Sequence, residues 1–145
     1  MLFCCFLGGC GSSGPPTRGN PVTFEAVCDK ANDGKRILLE GYLDFPESFK
    51  YRGTDDTVML RLKPAPDSKA AVVAASAKIG NGANHVEAPP KSFRREDLKL
   101  HTSDGQVAGY GQKVKVSGTM YYPSSMATVE FKCGLTNSLF ESAGQ

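Results

Sequence analysis

The sequence predicts an all-β fold with at most minor helix, built as a small barrel of five to six strands. Two segments carry this prediction, Gly34–Pro46 (GKRILLEGYLDFP) and Gly111–Pro123 (GQKVKVSGTMYYP). Each begins with glycine, alternates apolar and polar residues, has a second glycine at the eighth position and ends on proline. Such alternation over a whole segment is typical of strands with one buried face.

The same alternation assigns side chains to the two faces of each strand. In the first segment the predicted inward residues are Ile37, Leu39, Gly41, Leu43 and Phe45. In the second they are Val114, Val116, Gly118, Met120 and Tyr122. A glycine on the inward face in mid-strand usually marks a bend or bulge. Two strands bent at the same place favour a closed barrel, in which each strand serves both halves; a sandwich with two kinked strands is the alternative.

Shorter segments supply the remaining strands. Thr57–Leu62 alternates and predicts a strand. Ala71–Ile79 fits an Ala-rich helix capped by Asp67–Ser68. It also alternates, and we interpret it as a strand because it would then form a hairpin with Thr57–Leu62.

The rest of the chain is less regular. Val22–Lys30 fits either a short helix or a first edge strand, and Ser92–Asp97 fits one helical turn. Leu98–Thr102 predicts a short strand, and Met126–Cys133 predicts the last one. Leu135–Phe140 is expected to pack as a tail after that strand.

Over about residues 34–134, this pattern of strands and glycines resembles the OB-fold, with the two glycine-bent segments as its first and fourth strands. The resemblance implies a ligand face on the second and third strands, flanked by two loops. The first of these loops brings together the candidate ligand residues Phe49, Lys50, Tyr51 and Arg52. Interleaved aromatic and basic side chains can stack on rings and neutralise phosphate; the alternative is that the aromatic residues fold back onto the barrel.

The N-terminus predicts export. Met1–Gly9 is apolar and uncharged, too short to span a bilayer but long enough for the apolar region of a secretory signal. Leu7-Gly8-Gly9-Cys10 resembles the lipobox of bacterial lipoproteins, which implies that Cys10 is acylated and becomes the mature N-terminus. No Lys or Arg precedes Cys10, which departs from the usual signal.

The predicted organisation follows from these segments. Residues 1–9 form a signal peptide, residues 10–21 a lipidated cysteine with a flexible Gly/Ser/Pro tether, and residues 22–145 the barrel domain. Small exported OB-fold proteins with a lipid anchor, many without assigned function, form a group that this chain resembles.

Cysteine usage agrees with export. Cys4 and Cys5 lie in the removable segment and Cys10 would carry lipid, which leaves Cys28 and Cys133 in the domain. In an oxidising compartment we expect these two to form a disulfide; two buried free thiols are the alternative.

The sequence shows no catalytic constellation. His85 and His101 lack metal-ligand spacing, and Asp55-Asp56 lacks the further oxygens of a calcium loop. We therefore expect no metal, no cofactor and no catalysis. The net charge of +2 makes nucleic acid an improbable partner.

The expected function is a membrane-tethered binding or protein-interaction module that faces the periplasm, with an envelope protein as partner. Binding of nucleic acid or an oligosaccharide, and an unrecognised enzyme, are the alternatives.

Overall fold

A computed structural model of the chain describes residues 15–49, 52–69, 72–122 and 131–144. The helical turns in these ranges are the 3-10 turns Lys30–Asn32 and Arg95–Asp97. The strands are β1 (Asn20–Pro21), β2 (Arg36–Asp44), β3 (Ser48–Phe49), β4 (Thr57–Lys63), β5 (Val72–Ile79), β6 (His85–Val86), β7 (Phe93–Arg94), β8 (Leu100–His101), β9 (Val107–Ala108), β10 (Lys113–Tyr121) and β11 (Phe131–Ser142). The prediction of an all-β fold is confirmed.

Five of these strands close into a barrel in the ring order β2-β4-β5-β11-β10. Every neighbouring pair in the ring is antiparallel except β5 and β11, which run parallel. Three strands, β2, β4 and β5, form a meander, and β10 and β11 complete the ring, which closes through the parallel pair of β5 and β11. This is an OB-like arrangement. The predicted barrel is therefore present, with β2 and β10 as its first and fourth strands.

The two mid-strand glycines lie where neighbouring chains come too close for a side chain. Near Gly41, β2 changes its partner from β10 to β4, and a Cβ atom on this residue would lie 2.8 Å from the ring of Phe24. Gly118 lies at a register shift between β10 and β11, and its Cβ atom would lie 2.6 Å from that of Leu135. The prediction of a bulge is confirmed at Gly118, whereas at Gly41 the structure shows a close approach of Phe24 and a change of partner strand.

The inward faces agree with the alternation in all positions but one. The predicted inward side chains that are buried are Ile37, Leu39, Leu43, Phe45, Val114, Val116 and Met120. Tyr122 was predicted inward but is 37% exposed, because β10 ends at Tyr121 and the alternation ends with it. The hydroxyl of Tyr122 instead donates to the carbonyl oxygen of Cys28.

β5 resolves the ambiguity between helix and strand. It pairs with β4 from Leu62↔Val73 to Thr57↔Lys78, as the predicted hairpin requires. Ala74 and Ala75 are both fully buried, which explains why the segment also fitted an Ala-rich helix. Small side chains on both faces of a strand blur the period-two signal that separates it from a helix.

The last strand differs from its prediction. It was expected to end at Cys133, but β11 continues to Ser142, and the residues predicted as a tail pair with β10. Asn137 has φ 49°, a left-handed conformation that interrupts the alternation. The portion of the predicted strand before Phe131 lies outside the described residues.

The segment before the barrel forms neither of the predicted alternatives. Residues 24–28 turn, and Val27 enters the core with 1% exposure. Strand pairing occurs earlier, at β1, which runs parallel to β2. Cys28 then forms the predicted disulfide with Cys133 of β11, with a Cα–Cα distance of 5.6 Å.

A side chain completes the barrel where β5 and β11 separate. Their pairing ends at Leu135↔Ala75, and Asn84 lies beside the rest of β11. Its Nδ2 donates to the carbonyl oxygen of Ser138 at 2.8 Å, and its Oδ1 accepts from the amide of Phe140 at 2.7 Å. The amide of Asn84 thus takes the place of a neighbouring strand.

Asn84→Asp is expected to lower the free energy of unfolding by about 2 kcal/mol, because a carboxylate cannot donate to the Ser138 carbonyl oxygen and leaves it unpaired. The control is Asn81→Asp, which makes the same chemical change at an exposed position nearby. Urea titrations monitored by circular dichroism would compare the two. Equal effects from both substitutions would contradict the role of Asn84.

Candidate ligand-binding face

The structure places only part of the predicted ligand loop. Phe49 lies in β3, whose backbone pairs with Phe93 of β7, so the loop is tied to a later segment of the chain. Arg52 is exposed, whereas Lys50 and Tyr51 lie outside the described residues. The predicted set is therefore not assembled into a site that the structure can describe.

A charged cluster lies instead on the outer wall of the barrel, where β2 meets β4. Asp44 is the cross-strand partner of Arg61, and its carboxylate lies 3.4 Å from Arg61 Nε and 3.5 Å from Lys63 Nζ. Asp44 is only 7% exposed, so this carboxylate is largely occupied by the two cations. The pairing restrains Arg61 and Lys63 and leaves an excess of one positive charge.

An aromatic ring lies beside this cluster. Tyr42 is the cross-strand partner of both Lys63 and Lys113. Lys113 Nζ lies 5.8 Å from the centre of the Tyr42 ring, within the range of a cation–π contact, and 3.5 Å from Glu40 Oε1. Tyr42 thus lies between strands that carry lysine on either side.

We call this surface the cationic face. Its members are the outward residues Glu40, Tyr42, Asp44, Met59, Arg61, Lys63, Lys113 and Lys115. Four of them are cations and two are carboxylates, so the face alone carries an excess of two positive charges, as large as the net charge of the whole chain. It includes β4, the second barrel strand, and so overlaps the surface on which OB-folds usually bind ligands.

Sequence reasoning missed this face although its residues lie in predicted strands. The available signal was charge at outward positions, Asp44 in one strand and Arg61 in the next. Which residues stand opposite each other depends on strand register, and a shift of two residues would separate Asp44 from Arg61 while keeping every inward face unchanged.

The two histidines lie together on another part of the sheet. His85 and His101 are cross-strand partners in β6 and β8. His101 Nε2 lies 3.1 Å from Glu87 Oε2, and His85 Nδ1 lies 2.8 Å from the carbonyl oxygen of Ala83. Within the described part of the chain, no three His, Cys, Asp or Glu side chains are grouped so that they could hold a metal ion.

Comparison of the chain with protein-family models, curated proteins and solved structures found no significant match. The OB-like assignment accordingly depends on the strand order and register of the barrel itself. In the ranges that the structure describes, no helix has the length and apolar character needed to cross a bilayer.

Proposed function

We propose that this protein is a non-catalytic binding module, held at the periplasmic side of a bacterial membrane by a lipid on Cys10. Its cationic face binds an acidic segment of an envelope protein. The observation that carries the proposal is the restraint of Arg61 and Lys63 by the buried carboxylate of Asp44, beside the ring of Tyr42.

The restraint matters because ordering long cationic side chains costs conformational entropy when a partner binds. Arg61 and Lys63 lie on a barrel strand, with side chains only 19% and 23% exposed, and both pair with the carboxylate of Asp44. Complementary charge then increases the association rate and selects the partner. Tyrosine supplies apolar contact area at low entropic cost, as it does in many protein interfaces.

The mixture of charges favours a protein over a polyanion. Glu40 lies 3.5 Å from Lys113, so carboxylates stand between the cations of the face. A continuous phosphate backbone would meet these carboxylates with like-charge repulsion. An acidic protein segment with its own basic residues can match both signs.

The proposal predicts position-specific crosslinking. A photo-crosslinking residue in place of Met59, which is 42% exposed on the cationic face, should form discrete adducts with an envelope protein in intact cells. The matched position is Val107, which is 54% exposed but lies on β9. The double substitution Lys63→Gln/Lys113→Gln should reduce the Met59 adducts about tenfold, because two cations are lost from the interface.

The control Lys91→Gln/Lys99→Gln removes two exposed lysines outside the face and should leave the adducts unchanged. Adducts that persist in Lys63→Gln/Lys113→Gln, or that form equally from position 107, would contradict the proposal. If the native protein is retained on immobilised single-stranded DNA in a salt-dependent way and the Lys63→Gln/Lys113→Gln variant is not, the partner is nucleic acid and not a protein. The intact mass of the mature protein tests the anchor separately, since it should begin at an acylated Cys10.

A further inference from the structure

The last residues of the predicted tether lie against the barrel. We call residues 15–22 the strap. At its C-terminal end the strap contacts two residues of β2. The amide of Val22 donates to the carbonyl oxygen of Leu38, and Asn20 is the pairing partner of Ile37. Further toward the N-terminus, the amide of Gly19 donates to Ser117 Oγ on β10 at 3.0 Å. The C-terminal part of the strap therefore lies on the wall formed by β2 and β10.

The strap then crosses to β11. Arg36 Nε donates to the carbonyl oxygen of Thr17 at 2.8 Å, and Arg18 Nε donates to Glu141 Oε1 on β11 at 3.1 Å. Pro15 and Pro16, at the N-terminal end of the strap, line a cleft of about 380 Å³. Residues of both β5 and β11 line the same cleft, where the two strands separate. The first described residues of the chain, Pro15 and Pro16, thus lie at the junction of β5 and β11.

This path shortens the connection to Cys10. If every residue between Cys10 and Val22 were free, the chain could extend by about 40 Å. With residues 15–22 docked, the distance from Pro15 to Cys10 can be at most about 18 Å, the span of five fully extended links. The consecutive prolines Pro15 and Pro16 stiffen the N-terminal end of the strap.

We propose that the strap sets the orientation of the barrel on the membrane. The cleft between β5 and β11, with Lys78 at its rim, faces the lipid surface. In the ring of five strands β2 lies opposite this junction, so Tyr42 of β2 and Lys113 of β10 point away from the membrane toward the partner. Met59, the cross-strand partner of Ser76 in the cleft, lies at the edge of the cationic face nearest the membrane. This inference depends on the lipid anchor of the proposed function and adds the bilayer surface as the contact of a specific side of the barrel.

Gly19 provides a variant that undocks the strap. A Cβ atom at this position would lie 2.4 Å from the backbone carbon of Ile37, and the backbone of a central strand cannot move aside. Gly109→Ala is the matched control, since its nearest neighbour would be the carbonyl oxygen of Leu98 at 3.4 Å. Both substitutions add one methyl group, but only Gly19→Ala is expected to displace residues 15–22.

The test uses the full acylated protein in phosphatidylcholine vesicles that contain a lipid with a spin label on its headgroup. A fluorophore is attached through a clickable residue at position 78 or at position 113, both occupied by exposed lysines in the native chain. Quenching is expected to be several-fold stronger at position 78 than at position 113. Gly19→Ala should make quenching at the two positions equal, whereas Gly109→Ala should preserve the difference.

The outcomes separate the two proposals. Equal quenching in the native background, with the protein still floating with the vesicles, would overturn the orientation and leave the anchor intact. A protein that does not float with vesicles would overturn the anchor itself. A difference that survives Gly19→Ala would show that the strap does not determine the orientation.

Discussion

Removal of the Cys28–Cys133 disulfide by Cys28→Ala/Cys133→Ala is expected to lower the free energy of unfolding by about 4–5 kcal/mol. The bridge joins residues 105 positions apart, so it removes a large amount of chain entropy from the unfolded state. It also holds the segment that contains Val27 against β11. Urea unfolding of the native protein and the double variant, followed by circular dichroism, measures the difference.

Reductant supplies an independent control for this prediction. Dithiothreitol should shift the unfolding midpoint of the native protein to that of the double variant, and it should leave the double variant unchanged. If complete reduction, verified by mass, left the native midpoint where it was, the bridge would contribute nothing to stability.

Gly118→Ala is expected to lower the free energy of unfolding by about 3 kcal/mol, through overpacking against β11. The added methyl group would lie 2.6 Å from Leu135 Cβ and 3.2 Å from the carbonyl oxygen of Thr136. These atoms belong to a paired strand, so relief requires a change in the register of the bulge between β10 and β11. The same urea titration measures the loss.

Gly109→Ala is again the appropriate comparison. Its nearest contact of 3.4 Å is ordinary, so the loss should stay below about 1 kcal/mol. Losses of similar size at positions 109 and 118 would mean that the close approach at Gly118 is relieved by small adjustments. The stability effect would then reflect only the general consequence of replacing glycine.

Much of the barrel was predictable because its signals are local. Leu39 and Val116 are inward residues because successive side chains of any strand point to opposite faces. Gly41 and Gly118 stood out because glycine in the middle of such a pattern has few structural explanations. The disulfide followed from the small number of cysteines that an exported domain would retain.

Signals failed where backbone geometry departs from the regular period. β11 was predicted too short because Asn137 breaks its alternation, and Tyr122 was assigned inward although β10 ends one residue earlier.

The short 3-10 turn Arg95–Asp97 was predicted within the correct segment, Ser92–Asp97. It needs only local hydrogen bonds, so its position does not depend on distant strands.

The candidate site depended on register. Asp44 can restrain Arg61 and Lys63 only because β2 and β4 pair from Tyr42↔Lys63 to Asp44↔Arg61. Nothing in either segment alone selects that pairing over one shifted by two residues. The candidate loop drew attention instead because its residues are adjacent in sequence.

By itself the sequence determined most of the barrel strands, most of their inward faces, the positions of the two mid-strand glycines and the Cys28–Cys133 pair, since these depend on neighbouring residues and on composition. Only the tertiary structure decided the charged cluster around Asp44, the edge pairing by Asn84 and the course of the strap. Each of these joins residues from separate segments. Their contacts exist because the packing of the whole barrel selects one register and one crossing among several that the local patterns allow equally.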